Sequence, residues 1–386
     1  MVAENFSTLS AENMDHRRMR NHNSRQILSI VRKLGPVSRA DIARHTPYSA
    51  PTVSALISGL VRAGLVNEEG AGKSSGGRKP QLLSFNAQCG VVIGSNIDSD
   101  AIQIVLADMT GKWLRKRAIQ LQSETRPRPL LRRLATAIEG MLKEPGFGAP
   151  PLLAVAVGVP GMTDVSTGTV IEAANLDEWR DVPVQEILQG YLSVPVKVEN
   201  DVNLAAIGEQ WHGGGRGIEN FVFISIGTGI GAGIIIGGKL HRGHKWHAGE
   251  ISHLNVDYRK WSTDYAATGY LEAHLRDGVR QKAKAAEFSF DKETVRRLGA
   301  AVANIATIID PETIVVGGHL IMMDSESLPQ IFEVAAKIAP NCPKLHRTEL
   351  GEDAPLLGSV QIALQHADEN LHDLMMGVGQ ALEVLV

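Results

Sequence analysis

Two stretches of the chain carry side chains whose types and spacing could do chemistry. The first is Glu199-Asn200-Asp201-Val202-Asn203, which follows the β-branched run Val194 to Val198 and precedes a helix-forming stretch from Leu204 to Trp211. Polar and acidic groups at the end of a buried strand are costly unless paired or used, and the carboxyl ends of strands are where α/β proteins bind ligands. Asp201 has the chemistry of a general base toward a hydroxyl group. Asn200 can donate to and accept from neighbouring hydroxyls. A second reading makes Asp201 only the cap of the following helix. The second stretch runs from His241 to His253 and holds Arg242, His244, Lys245, Trp246, His247 and Glu250 between its terminal histidines. His247, Glu250 and His253 are spaced by threes, which a metal can use, but zinc normally takes three or four protein ligands and this stretch has no cysteine. Carboxylate and imidazole side by side suit a polyhydroxyl ligand, which offers donors and acceptors around a ring. Gly227-Thr228-Gly229-Ile230-Gly231 lies between the two stretches. Its backbone N–H groups could cradle a phosphate, or its glycines could simply close a hairpin.

The elements that must position these groups read as strands and helices of an α/β protein. Gly90 to Leu106 and Trp113 to Ile119 form a meander rich in Val and Ile, and a helix follows from Pro129 to Leu142. Residues 152–159 are continuously apolar, as strands of a helix-covered parallel sheet are. Residues 221–238 carry no charge and reach the lower length of a membrane span, but four glycines between Gly227 and Gly233 make them two buried strands and a tight turn. No membrane insertion is expected. Residues 269–285 and 295–309 read as helices, Thr313 to Val316 as a short buried strand, and 355–386 as largely helical.

The 386 residues suggest two or three domains. A net charge of −3 hides an asymmetry: residues 1–88 hold twelve Lys or Arg against six Asp or Glu, while the remainder is acidic by nine charges. A basic head on an acidic body suits a nucleic-acid-binding module joined to a domain with another task. Cys89 and Cys342 form no CxxC pair, and the N-terminus lacks the apolar core of a signal peptide, so a reducing, cytoplasmic setting is expected.

The head reads as helix, short helix, tight turn, helix, then strand, loop, strand. Ile27, Leu28, Val31 and Leu34 share one face before Gly35-Pro36 ends the first helix. Ser38 caps the second, with Asp41 as an imperfect capping-box partner. Ser49 caps the third, which buries Val53, Leu56, Ile57 and Leu60 and presents Ala50, Pro51, Thr52, Ser54, Ala55 and Ser58. Such small side chains let a helix enter a major groove closely. Lys73, Arg78 and Lys79 sit among glycines in a wing able to follow a minor groove. The basic cluster from His16 to His22 is either a solvated tail or a phosphate contact.

In this order the motifs resemble the ROK family, which groups bacterial repressors with sugar kinases. Ser38-Arg39-Ala40-Asp41-Ile42-Ala43, Ser49 to Ser54 and Gly76-Gly77-Arg78-Lys79-Pro80 resemble its repressor branch, typified by xylose and N-acetylglucosamine repressors. Gly158-Val159-Pro160-Gly161, Asn175-Leu176 with Trp179, Glu199 to Asn203, Gly208-Glu209, Gly227 to Gly231, Gly249 to His253 and Gly317-Gly318 resemble motifs of its body. The resemblance implies an N-terminal winged helix-turn-helix followed by a two-lobed α/β, actin-like and ribonuclease-H-like sugar-kinase fold. It implies a sugar site of Asn200, Asp201, Glu250, His253, Gly161, Asn175 and Glu272. It implies DNA contacts from Arg39, Ser49, Ala50, Pro51, Thr52, Ser54, Lys73, Arg78 and Lys79. The expected divisions are a flexible basic segment over 1–22, the DNA-binding domain over 23–88, a first lobe over 89–200 and a second over 201–386, whose C-terminal helix could return to the first.

Two departures from the family set the expected function. Family kinases open the body with Asp-x-Gly-Gly-Thr around the ATP phosphates, where this chain has Asn96-Ile97-Asp98-Ser99-Asp100. An acid beside a triphosphate is repulsive without a metal between them, so no kinase activity and no ATP are expected, and Asp201 becomes a vestigial general-base position. The family's zinc ligands are one His and three Cys. His253 is kept, but the cysteine positions fall on Thr263, Tyr265 and Tyr270, so no zinc is expected and aromatic packing holds the loop instead. These features imply a sugar-responsive repressor of carbohydrate uptake or catabolism genes, acting as a homodimer or tetramer on double-stranded operator DNA with a small carbohydrate effector. The alternatives are an ATP-dependent sugar kinase and a regulator controlled by an unidentified protein partner.

Overall fold

The computed structural model describes residues 19, 22–71, 80–121, 124–144, 150–173, 176–227, 229–256, 269–275, 290–319 and 326–383. Helix α1 (22–34) buries Ile27 and Val31, but Leu34, expected on the same face, is 40% exposed in the last turn. A two-residue strand, β1 (Val37–Ser38), follows and pairs antiparallel with β3 (Gln81–Phe85). It is too short for any periodicity and was not expected. Ser38 then caps α2 (Arg39–Arg44). Both halves of its capping box close: the hydroxyl accepts from the Asp41 N–H at 3.2 Å, and the Ser38 N–H donates to the Asp41 carboxylate at 3.3 Å. The Ser38 hydroxyl bond leads in holding the Asp41 carboxyl below its usual range. Helix α3 (Ala50–Arg62) is capped by the Ser49 hydroxyl, which accepts from the Thr52 N–H at 3.4 Å. Val53, Leu56, Ile57 and Leu60 are buried, and Pro51, Thr52, Ser54, Ala55 and Ser58 are exposed, as their spacing requires. Strand β2 (Val66–Ala71) completes a sheet of order β1-β3-β2.

The body is built on two five-stranded sheets of the same design. In the first, β4 (Val91–Ile97), β5 (Ala101–Asp108) and β6 (Trp113–Gln120) form an antiparallel meander. Strands β7 (Leu152–Val159) and β11 (Val196–Asn200) add in parallel on the other side of β4, giving the order β11-β7-β4-β5-β6. In the second, β12 (Phe221–Ile226), β13 (Ile230–Ile236) and β14 (Lys239–His241) form the meander, and β15 (Thr313–Gly317) and β16 (Leu345–Arg347) add in parallel beyond β12. The uncharged stretch 221–238 therefore supplies the hairpin of β12 and β13, buried along most of its described length, with Ile236 to Gly238 exposed at its end. Among the described residues no helix is long and apolar enough to cross a membrane.

Helices α4 (Pro127–Lys143) and α5 (Val184–Leu192) cover one face of the first sheet. A small antiparallel sheet of β8 (Met162–Asp164), β9 (Thr169–Glu172) and β10 (Arg180–Val182) interrupts the chain between β7 and α5 and was not anticipated. Helix α6 (Asp201–His212) packs on β12 and β13 of the second sheet. It starts at Asp201, three residues before the expected Leu204. After the described helical residues 270–275 (α7), α8 (Lys292–Ile309) and α9 (Ser327–Ile338) line the second sheet's core; the rest of the helix expected over 269–285 lies outside the described residues. The terminal helix α10 (Ala354–Glu383) packs on β4 and β7 of the first sheet and on α6, so these two helices join the sheets. They cross closely: a Cβ on Gly208 would stand 2.1 Å from the Ala354 carbonyl oxygen, and one on Gly358 would stand 1.9 Å from that of Leu204.

Head and body share one apolar cluster. Ile27, Val31, Ile57 and Leu83 continue into Val92, Val105, Leu356 and Val360. At its edge the Arg32 guanidinium pairs with Asp368 of α10 at 2.5 Å, and Arg25 donates to the Glu369 carbonyl at 3.0 Å.

Candidate functional site

The two chemistry-bearing stretches meet where the ends of the two sheets approach. Asn200 ends β11, and its side chain does structural work. Its amide oxygen accepts from the Asn203 N–H at 3.0 Å, capping α6, while its amide nitrogen donates to the Gly161 carbonyl at 3.0 Å. The cap is thus Asn200, and Asp201 takes the first helical turn. One Asp201 carboxylate oxygen accepts from the Val202 N–H at 2.9 Å.

Asp201 is pushed up to about 7, first by burial, then by the nearby carboxylate of Asp98 and more weakly by that of Glu250. Asp98 stands in the turn between β4 and β5 of the first sheet, and Glu250 follows β14 of the second, so groups from both sheets act on one carboxyl. Glu250 is itself raised by burial, an effect opposed by His253 and His247 and reinforced by Glu272. Glu272 is anchored at the start of β13, where its carboxylate accepts from the Ile230 N–H at 3.3 Å. The structure thus brings Asp201, Glu250, His253 and Glu272 together with Asn200 and Gly161, and adds Asp98 and His247. Asn175 lies outside the described residues.

Backbone geometry fixes the loop that carries Glu250. Gly249 has φ +95°, and a Cβ there would stand 1.8 Å from the Ala232 carbonyl oxygen. Its own carbonyl accepts from the Ala232 N–H at 2.8 Å, tying the loop to β13. Only glycine fits both demands.

Sequence reasoning missed the buried ion pair behind this site. Glu199 is 3% exposed, and its carboxylate accepts from Arg242 Nε at 2.7 Å, Asn203 Nδ2 at 3.0 Å and the Asn200 N–H at 3.0 Å. Strand β11 is thereby bonded to the segment after β14, next to both Asp201 and the Glu250 loop. Glu209 of α6 is also buried and raised by desolvation. It accepts from the Gly214 N–H at 2.7 Å and from the Thr348 hydroxyl.

Among the described residues no three His, Cys, Asp or Glu side chains converge for a metal. Cys89 packs in the cluster shared by head and body and Cys342 beside the second sheet. Tyr270 is buried, with its ring centroid 4.3 Å from that of His274. Thr263 and Tyr265 lie outside the described residues. In the turn between β4 and β5, the Asp98 N–H donates to the Ala101 carbonyl at 2.9 Å and the Ser99 N–H to the Asp98 carboxylate at 2.6 Å.

In the head, Ala50, Pro51, Thr52 and Ser54 form an exposed surface on α3, and Ser49 is engaged in its cap. Arg39 is paired with Glu68 of β2 at 2.6 Å. Lys73, Arg78 and Lys79 lie outside the described residues.

The chain belongs to the ROK family, whose profile matches residues 92–366. It is 28% identical over 364 residues to a putative xylose repressor of Caldicellulosiruptor sp., covering 84% of this chain and 90% of that one. It is 31% identical over 270 residues to a glucokinase of Streptomyces coelicolor, covering 60% of this chain and 82% of the relative. A crystal structure of a ROK family transcriptional regulator, a homologue of the E. coli MLC protein, superposes with a TM-score of 0.74 at 21% identity over 92% of this chain and 98% of that one. The body therefore has the architecture of the ROK, actin-like sugar-kinase fold.

Proposed function

We propose that this chain is a sugar-responsive transcriptional repressor that binds operator DNA through a winged helix-turn-helix and reads a carbohydrate without phosphorylating it. The turn at Asp98 carries this reading. A kinase needs backbone donors directed at phosphate oxygens, whereas the Asp98 and Ser99 N–H groups are already spent within the turn. The Asp98 carboxylate also adds negative charge beside Asp201. The head supplies three helices and a three-stranded sheet, with small side chains along the exposed face of α3 for a major groove. The relatives named as xylose repressors cover 83% to 93% of this chain, while the Streptomyces coelicolor glucokinase covers 60%. Residues 1–22 form a basic lead-in, 23–88 the DNA-binding domain, and 89–200 and 201–386 the two lobes. Lys73, Arg78 and Lys79 are the further DNA contacts that the family resemblance implies.

The effector sits against Asp201, Glu250, His253 and Glu272, with Gly161 on the first lobe's side; Asn175 is a further sugar contact that the family resemblance implies. Carboxylates converging from both sheets make the site repel phosphate, so the effector is a neutral or cationic sugar. Binding is transmitted through α6, which starts at Asp201, to α10, which it crosses at Gly208 and Gly358, and from α10 to α1 through Asp368 and Arg32. In a homodimer, a shift of α1 changes the spacing of the paired heads and so operator affinity.

The test uses the full chain on promoter fragments from its own genomic neighbourhood. Fluorescence anisotropy is expected to show specific binding that one unphosphorylated sugar alters about tenfold, near the middle of the usual coupling range. Calorimetry is expected to show the same sugar binding and its phosphate ester not. Turnover of ATP onto any sugar would establish the kinase instead, and operator binding indifferent to every sugar would point to a protein effector. Zinc is expected to be absent. Elemental analysis of the purified chain checks this, and one zinc per chain would overturn it.

A further inference from the structure

A basic groove lies on the outer side of the first sheet. Strand β6 and helices α4 and α5 enclose an open groove of about 720 Å³ lined by Arg117, Arg128, Arg132 and Arg133, with Ile119 and Tyr191. The arrangement follows from α4's sequence. Leu130, Leu131, Leu134, Ile138 and Met141 face the core, which leaves Arg128, Arg132 and Arg133 outward. Arg128 and Arg132 are one helical turn apart, about 6 Å along the surface. Arg117 is paired with Glu144 at 2.9 Å, and Arg133 donates to the Gln120 carbonyl at 3.1 Å. Among the described residues neither Arg128 nor Arg132 has an acidic partner, because Glu124 is taken by Arg126 and Glu139 by Lys143. Two unneutralised guanidiniums on a body that is acidic by nine charges run against the overall field.

The chemistry of the groove selects among anions. A compact phosphate is best held by converging backbone N–H groups at a helix start. Here α4 begins Pro127-Arg128-Pro129, so two N–H groups of its first turn do not exist. Duplex DNA on the head, as proposed above, would lie on the other side of the first sheet. The head and α10 cover one face of the first sheet, whereas α4 and α5 cover the other. What remains is a row of guanidinium forks beside an exposed Tyr and an Ile. Arg and Tyr are the anchors enriched at protein interfaces, and guanidinium forks match carboxylates in pairs.

We propose that this groove docks an acidic segment of a partner protein, with Arg128 and Arg132 as its principal contacts. The groove shares no residue with the proposed sugar site, so it would give the chain a second input whatever the effector proves to be.

The test compares the full chain with an Arg128→Glu/Arg132→Glu variant. Both side chains are exposed, and an unchanged thermal midpoint confirms that the variant folds. The probe is fluorescent poly-L-glutamate of about 20 residues, at an ionic strength where the screening length is about 10 Å. Anisotropy is expected to show salt-sensitive binding by the native chain, weakened at least about tenfold in the variant, which is the loss of about 1.4 kcal/mol. Operator affinity is expected to be the same in both proteins. Equal poly-glutamate binding by the two proteins, or none by the native chain, overturns the proposal. So does tighter binding of inorganic tripolyphosphate than of poly-glutamate, which would mark a phosphoanion site. A matching loss of operator affinity in the variant would mark a DNA surface instead.

Discussion

Arg242→Ala is expected to destabilise the fold by about 3 kcal/mol, measured by urea unfolding at neutral pH. The arginine is the charged partner of a carboxylate that water hardly reaches: the Glu199 side chain is 4% exposed and that of Arg242 29%. Removing the cation leaves Glu199 with two neutral donors, the Asn203 amide and the Asn200 N–H. An unpaired buried charge is far more costly than a pair that was never there. The double variant Glu199→Gln/Arg242→Ala should therefore recover most of the loss, since the glutamine oxygen can keep both donors. Glu199→Gln alone should cost about 1 kcal/mol, because Arg242 can turn to solvent. A single Arg242→Ala loss below about 1 kcal/mol would mean that the pair is surface-like. The same variant should weaken sugar binding, because the pair ties β11, which leads into Asp201, to the segment that leads into Glu250.

The contrast between Glu199 and its surroundings shows what can be read from a chain without its fold. The continuous apolar run 152–159 became β7 with the expected ends, because burial on both faces leaves a local signature. The stripe of α3 and its Ser49 cap were legible for the same reason. At Asn200-Asp201 the residue types announced a site, but the division of labour did not follow from them. Either side chain can cap a helix, and which one does depends on where β11 stops, a matter of its pairing with β7. That Glu199 would need a partner was implied by its position on a buried strand. That the partner is Arg242, 43 positions away, depends on two sheets meeting. The short strands β1, β8, β9 and β10 left no period to detect. The departure of Asn96 to Asp100 from the resembled pattern needed only the sequence, whereas the reach of Asp98 toward Asp201 needed the turn between β4 and β5 in place.

Asp201 provides the prediction with the widest reach, because one group sets both a stability profile and a binding profile. Its carboxyl releases a proton near 3.8 when the chain is unfolded and at about 7 when folded. Between those values the folded state holds the proton that the unfolded state has lost, so stability falls as pH rises from about 4 to 7 and is level above. Asp201→Asn removes this effect. The variant should match the native chain near pH 4 and exceed it at pH 8, by up to about 4 kcal/mol if the whole difference is expressed and by roughly half that in a site water can enter. Binding runs the other way. A sugar hydroxyl donates best to the ionised carboxylate, so effector affinity should rise about tenfold between pH 6 and pH 8 as Asp201 ionises, with proton release near pH 7. In Asp201→Asn the rise should vanish and affinity should drop by about one to two orders of magnitude, the worth of a hydrogen bond to a charged group. Calorimetry in buffers of different ionisation enthalpy reads both affinity and proton release. A variant that binds sugar as the native chain does, with the same pH dependence, would remove Asp201 from the site. A variant that loses binding without gaining stability at pH 8 would show that the carboxyl is already ionised in the folded protein, and that burial and the acids around it do not hold its proton.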